Sequence, residues 1–146
     1  MMKRVVLICL VLLTFASCEK SENPEMPYAP VNFKVFLSGQ DHDLNGILHY
    51  KTFTKPRLAN EYVGYAGILV VCGFDNVYHA YELCCPHEAL RNKTIVPNTD
   101  GTATCPSCNT VYDIGYGTGS PASGPSKYML RKFNTIPSGQ DLIIQY

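Results

Sequence analysis

Apolar and polar side chains alternate over short stretches of the chain, with the period of two residues that is typical of half-buried β-strands. Apolar Val31, Phe33 and Val35 are separated by polar residues, and the stretch Val77–Leu83 alternates in a similar way. The stretch Gly67–Cys72 is apolar almost throughout, which indicates a buried strand. Together with three further stretches, these residues are predicted as strands at 31–37, 46–53, 67–72, 77–83, 128–133 and 142–146.

No long stretch has the period of 3.6 residues that an amphipathic helix requires, so the predicted fold class is all-β with antiparallel strands. Turn residues separate the strands: Gly73–Asn76 is predicted to close one hairpin and Pro137–Gln140 another. The chain of 146 residues is the size of one ordinary domain. Its folded part is predicted over residues 29–146, about 118 residues, enough to bury roughly two-thirds of the unfolded surface.

The N-terminal residues have the features of an export signal. Lys3 and Arg4 precede 11 apolar or nearly apolar residues, a run too short to span a bilayer. The next stretch, Phe15–Cys18, resembles the lipobox of bacterial lipoproteins, in which a Cys is lipid-modified and becomes the new N-terminus. We therefore predict a lipoprotein signal peptide at residues 1–17, lipidation of Cys18 and an exported, membrane-anchored protein. The alternative is a cleaved secretory signal with an incidental Cys.

The mature chain is predicted to begin with a tether and to be almost neutral. Residues 18–28 are rich in Pro and Glu and lack apolar periodicity, as expected of a linker between lipid and domain. The full chain has 12 basic and 12 acidic residues, and removal of residues 1–17 takes away two basic ones, which leaves a net charge of −2. This balance excludes a nucleic-acid binder that acts through bulk charge, and the 46% apolar content excludes a disordered protein.

Five of the seven Cys remain to be explained, because Cys9 leaves with the signal and Cys18 is committed to lipid. An odd number of Cys in an exported chain cannot all pair as internal disulfides. Cys72 lies in an apolar run, and Cys84 should point away from its neighbour along an extended backbone, so both are predicted to be packed thiols.

The other three Cys and one His form two short clusters, Cys85-Pro86-His87 and Cys105-Pro106-Ser107-Cys108, separated by 17 residues. Each cluster is predicted to lie in a loop between strands. Each loop can present two soft or borderline donors to a shared centre, as a tetrahedral metal ion or an iron–sulfur cluster requires. The predicted metal ligands are Cys85, His87, Cys105 and Cys108.

The segment Gly67–Phe133 resembles a Rieske-type [2Fe-2S] domain. The likeness consists of a strand pair, the Cys-Pro-His cluster, the Cys-Pro-x-ligand cluster and a cover loop, Ser123–Ser126, that is similar to the family's Ser-Gly-Pro-Ala stretch. The resemblance implies a Rieske-like antiparallel β-sandwich with two metal-binding loops at one end. It also implies that residues near 67–133 bind the cluster. Three residues are implied to surround it: Thr110, Tyr112 and Pro125.

One position departs from the family pattern, because the second cluster ends in Cys108 where the family carries His. The resemblance implies that Cys85 and Cys105 hold the inner iron, and that His87 and Cys108 hold the outer iron. An oxidised core of charge +2 with three thiolates has a total charge of −1 rather than zero, so its reduction is harder. We expect a midpoint potential between the roughly −150 to +300 mV of two-His sites and the value near −400 mV of four-Cys sites.

The predicted function is one-electron transfer by a lipid-anchored iron–sulfur protein, with a donor or acceptor protein that the sequence does not identify. No nucleophile with an acid–base pair is visible, so turnover by this chain alone is not expected. Two alternatives to this function would make the protein a non-redox interaction module. One is a structural zinc on the same Cys₃His ligands. The other is a metal-free site with a Cys85–Cys105 or Cys105–Cys108 disulfide. The run Gly115–Gly119 is predicted to be a flexible cover over the site.

Overall fold

The computed structural model describes residue 23 and residues 25–146, so the predicted signal peptide and Cys18 lie outside the described residues. The described part is all-β, which confirms the predicted fold class, and its one helical element is the 3₁₀ turn His42–Leu44. No helix in that part is long and apolar enough to cross a membrane. The strands are β1 (Val31–Val35), β2 (Tyr50–Phe53), β3 (Tyr62–Val63), β4 (Ile68–Cys72), β5 (Tyr78–Glu82), β6 (Val96–Pro97), β7 (Thr102–Thr104), β8 (Val111–Asp113), β9 (Pro121–Ser123), β10 (Lys132–Ser138) and β11 (Asp141–Gln145).

Seven strands form one antiparallel sheet in the order β2-β4-β5-β10-β11-β1-β3. The hairpin of β4 and β5 has Cys72 opposite Tyr78, and β1 pairs with the C-terminal β11 so that Asn32 lies opposite Gln145. The other four strands form a second antiparallel sheet in the order β6-β7-β8-β9. The candidate metal loops leave the ends of β5 and β7, one strand from each sheet.

The two faces of β4 pack into different cores, which explains its continuous apolar sequence. Ile68 and Val70 face a core that also contains Phe33 of β1 and Ile144 of β11, so the seven-stranded sheet folds over onto itself. The alternate residues of β4 face a second core, which lies between β4, β5 and the small sheet. The buried members of this second core are Leu69, Val71, Tyr81, Leu83, Cys85, Ile95, Ala103, Cys105, Tyr112, Ile114 and Leu130.

Three predicted strands, 31–37, 67–72 and 77–83, are confirmed as β1, β4 and β5. The predicted C-terminal hairpin is displaced, because β10 begins at Lys132 and includes Pro137 and Ser138. Pro137 is tolerated there because that part of β10 pairs only with β11, so its missing N–H faces no second strand. The short strands β3 and β6–β9 were not predicted, since two or three residues are too few to form a recognisable alternation.

The predicted strand 46–53 is also shortened, to Tyr50–Phe53. Gly46 and Leu48 have φ values of 152° and 63°. Neither value belongs to extended strand backbone, so the chain turns there before β2 begins. Leu48 still donates its N–H to the Cys72 carbonyl over 2.7 Å, which holds this turn against the end of β4.

Candidate metal centre

Two loops with the same backbone conformation form the candidate metal centre. In the loop Cys85–Ala89, the first carbonyl accepts a 2.9 Å hydrogen bond from the N–H of the last residue, and the loop Cys105–Asn109 repeats this bond at 2.8 Å. The last residue of each loop is in the left-handed region, with φ of 52° at Ala89 and 58° at Asn109. A Pro at the second position of each loop restricts the start of the turn.

The loops bring three thiols together, because the Sγ atoms of Cys85, Cys105 and Cys108 all lie within 4.8 Å of one another. The sulfurs of Cys85 and Cys108 are 3.7 Å apart. Two thiolates on one tetrahedral metal ion, with metal–sulfur bonds near 2.3 Å, are separated by about 3.8 Å. The donor set and its spacing therefore fit a thiolate-bound metal centre.

Two hydroxyl groups contact the sulfurs of this site. The Tyr112 hydroxyl lies 3.4 Å from Cys85 Sγ, and the Thr110 hydroxyl lies 3.2 Å from Cys108 Sγ. Thr110 Oγ1 accepts a 3.2 Å hydrogen bond from the Ser126 N–H, so its own hydrogen is free to point at a Cys108 thiolate. Hydrogen bonds to a thiolate reduce its charge density and raise the potential of a bound metal.

The thiols of the two loops differ in acidity. Burial raises the pKa of Cys85 to about 12, although the Tyr112 hydroxyl and the Glu88 backbone N–H act in the opposite direction. Burial also acts to raise the pKa of Cys108, but hydrogen bonds from the Thr110 hydroxyl and backbone N–H, with the neighbouring thiols, outweigh it and lower the pKa of Cys108. A bound cation would favour the thiolate form of each.

The predicted cover loop packs against the second metal loop. Gly124 has φ of 96°, and a Cβ at this position would lie 2.5 Å from the Thr110 Cα, so only Gly fits. This close approach brings the Ser126 N–H to Thr110. Pro125 between them is exposed. The Ser126 contact was not predicted, although the Gly-Pro pair before it is a signal for a tight turn.

His87, the fourth predicted ligand, is exposed at the third position of its loop, and its ring nitrogens are not among the converging donor atoms. The equivalent residue of the second loop is Ser107, which is also exposed. Glu88, half-buried, occupies the position in the first loop that Cys108 occupies in the second. The structure thus brings together three of the four predicted ligands, and His87 stays a prediction.

Cys72 and Cys84 are buried free thiols outside the group of three, as predicted. The prediction that Gly115–Gly119 covers the metal site is wrong. The Gly115 carbonyl accepts a hydrogen bond from the Phe74 N–H, and a Cβ at Gly117 would touch the His79 ring. This run therefore packs on the β4–β5 turn, at the end of β5 away from the metal loops.

No family model matches the sequence, and no curated protein matches it. Among solved structures, the chain is similar to the ferredoxin of carbazole 1,9a-dioxygenase from Nocardioides aromaticivorans IC177, with 16% sequence identity and a TM-score of 0.48. The similarity covers 78% of this chain and 96% of that one. This likeness assigns neither a family nor a function to the chain.

Proposed function

We propose that this protein carries single electrons on a [2Fe-2S] cluster held by Cys85, Cys105 and Cys108, with His87 as the fourth ligand. The observation that carries the proposal is the convergence of three free thiols from two loops of equal conformation. When bound, the cluster supplies a one-electron redox couple. The thiols bind it, and the second core excludes water from its inner side.

The burial of the four residues supports the division into an inner and an outer iron. Cys85 and Cys105 are completely buried, Cys108 is half-buried and His87 is exposed. The inner iron would therefore belong to the two buried thiolates and the outer iron to Cys108 and His87. An exposed outer side suits electron exchange with a partner, because the donor or acceptor protein can approach it closely.

Local charge sets the expected potential. The third thiolate adds a full negative charge, which disfavours the reduced cluster, while the Thr110 and Tyr112 hydroxyls favour it. A full charge outweighs two neutral hydrogen bonds. We expect a midpoint below the range of two-His sites, which begins at roughly −150 mV, and above the value of about −400 mV for four-Cys sites.

A structural zinc is the second candidate, and one distance favours it. The 3.7 Å between the sulfurs of Cys85 and Cys108 equals, within about 0.1 Å, the edge of a single tetrahedral zinc–thiolate site. In that case the loops would be held together without redox chemistry, and the domain would serve as an interaction module.

Metal analysis and spectroscopy of the full chain, purified without oxygen, separate the two candidates. An iron–sulfur carrier should contain about two iron atoms with an equal amount of acid-labile sulfide, absorb visible light and titrate within the expected potential range. One equivalent of zinc in a colourless protein would replace the redox proposal with the structural one. Neither metal, together with full stability, would contradict both.

We also propose that the protein is exported and anchored by lipid on Cys18, which rests on the signal sequence and its lipobox-like stretch. Mass spectrometry of the N-terminal peptide should find acyl groups on Cys18. The Cys18→Ser variant should lose the modification and leave the membrane fraction. An unmodified Cys18 in membrane-extracted protein would contradict the anchor.

A further inference from the structure

Asn23 and residues 25–30, which precede β1, follow the surface of the domain toward the first metal loop. Near β1, the Tyr28 ring lies 5.6 Å from the Tyr146 ring. Farther along, the Arg131 guanidinium donates hydrogen bonds to the Pro27 and Met26 carbonyls, at 2.7 and 2.8 Å. At the end of this path, the Asn23 side-chain amide donates to the Pro86 carbonyl. The segment therefore ends at the loop that contains Cys85.

Burial shows that this segment, most of which lies within the predicted linker 18–28, packs against the folded domain. Asn23, Met26 and Arg131 are all buried, with 7%, 5% and 8% of their surface exposed. A buried guanidinium is costly unless its N–H groups are paired, and here two carbonyls of the segment accept them. The Tyr146 ring lies 5.6 Å from the Arg131 guanidinium and adds a cation–π contact. Release of the segment would leave this charge without its partners.

Covalent geometry then limits where a lipid on Cys18 can lie. Five peptide units join Cys18 to Asn23. Each unit spans at most about 3.6 Å, so Cys18 is within about 18 Å of the backbone of Asn23, whose side chain contacts the first metal loop. A lipid on Cys18 must enter the bilayer within that distance.

We propose that the metal-loop end of the domain faces the surface of the lipid bilayer. This inference rests on the lipid anchor proposed above. The strand β10 begins near this end, because Lys132 pairs with Tyr81 close to the point where β5 leads into the first metal loop. Both β10 and β1 pair antiparallel with β11, so β1 runs in the same direction, away from this end. Six residue steps along β10 separate Lys132 from Ser138 by about 20 Å, so the Gly139–Gln140 turn lies at the opposite end of this strand from the metal loops.

The orientation can be tested by fluorescence energy transfer. The sequence contains no Trp, so a single introduced Trp is an unambiguous fluorescence donor. Leu90, with an exposed side chain just after the first metal loop, and Gln140, exposed in the β10–β11 turn, are suitable positions. Full-length Leu90→Trp and Gln140→Trp variants, lipidated and reconstituted in phosphatidylcholine vesicles with dansyl-headgroup lipid, should differ several-fold in energy transfer. Transfer from position 90 should be the higher.

A lengthened linker is the control for the reach of the anchor. Insertion of about ten Gly and Ser residues after Ser21 leaves the described fold untouched but relaxes the limit, so the difference between the two reporters should shrink. The Asn23→Ala variant, which lacks the hydrogen bond to the Pro86 carbonyl, should reduce the difference between the two reporters by less. Both variants should still sediment with the vesicles.

The outcomes separate this inference from the proposed function. Equal energy transfer from both positions in vesicle-bound protein would contradict the proposed orientation but not the lipid anchor. Failure of the protein to bind vesicles would overturn the anchor and the orientation together. Absence of iron would overturn the redox function, while a higher transfer from position 90 would still support the orientation.

Discussion

The loops Cys85–Ala89 and Cys105–Asn109 share a backbone but offer different donors. Both begin with Cys-Pro and close with a left-handed residue, yet the second carries a thiol at its fourth position, where the first carries Glu88. Their surroundings differ as well, since Cys85 is buried against Tyr112 whereas Cys108 is half-exposed beside Thr110. Equal loop geometry thus positions one thiol from each loop, and the side chains around the loops decide the rest of the chemistry.

The largest effect is expected from Cys108→Ser, which makes the second loop as poor in thiols as the first. A structural metal binds with roughly 10–16 kcal/mol shared among four ligands, so the loss of one thiolate should weaken binding at least about 100-fold. Competition with a chelator measures the change. The neighbouring Ser107→Ala variant is the control and should bind normally. Unchanged affinity in Cys108→Ser would remove Cys108 from the ligand set.

His87 and Ser107, at equivalent positions of the two loops, form the next test. If His87 is a ligand, His87→Ala should weaken metal binding by about 10- to 100-fold. Ser107→Ala should leave the metal affinity unchanged. The Glu88→Gln variant completes the comparison. A larger loss from Glu88→Gln than from His87→Ala would assign the fourth ligand to Glu88.

The acidity of the buried thiols predicts how the stability of the metal-free protein depends on pH. Burial raises the pKa of Cys84 and of Cys85 to about 12, from an ordinary value of 9.0. The unfolded thiols lose their protons near pH 9 and the folded ones only near pH 12, so the free energy of unfolding should fall as the pH rises between these values. Urea unfolding at several pH values measures the slope, which Cys84→Ala should reduce. An increase in the free energy of unfolding from pH 9 to 11 would contradict this prediction.

Tyr112→Phe removes the hydroxyl beside Cys85 and preserves the buried ring. A hydrogen bond of about 0.5–1.5 kcal/mol that favours the reduced cluster corresponds to a potential lower by roughly 20–65 mV in the variant. Redox titration measures the difference, with Tyr62→Phe as an exposed control. A higher potential in Tyr112→Phe would mean that the hydroxyl does not donate to the sulfur.

The smallest effect concerns the left-handed residues that close the loops. Ala89→Gly should raise the free energy of unfolding by about 0.5–1 kcal/mol, because Gly adopts this backbone without strain. Asn109→Gly should raise the free energy of unfolding by less, since Asn tolerates the left-handed region better than Ala. Gly124→Ala is the opposite case and should destabilise the domain, because its Cβ would collide with Thr110. Thermal unfolding of the three variants would check this order.

Sequence reasoning succeeded where a pattern is local. The alternation in β1 and the apolar run of β4 predicted these strands, and the Cys-Pro pairs indicated the two loops. It failed where partners are distant in sequence. The Gly115–Gly119 run has the composition of a flexible cover, but its position depends on Phe74 and His79, about 40 residues earlier in the chain.

The sequence alone determined the all-β class, the positions of the soft donors and the extra thiol at Cys108, because each depends on residue type or short spacing. Only the tertiary structure decided that Cys85, Cys105 and Cys108 converge, that one thiol is buried and another half-exposed, and that the segment before β1 ends at the first loop. These properties depend on how β4 and β5 separate two cores. They also depend on which carbonyls accept hydrogen bonds from the Arg131 and Asn23 side chains. Such contacts join residues up to about 100 positions apart, and no local pattern encodes them.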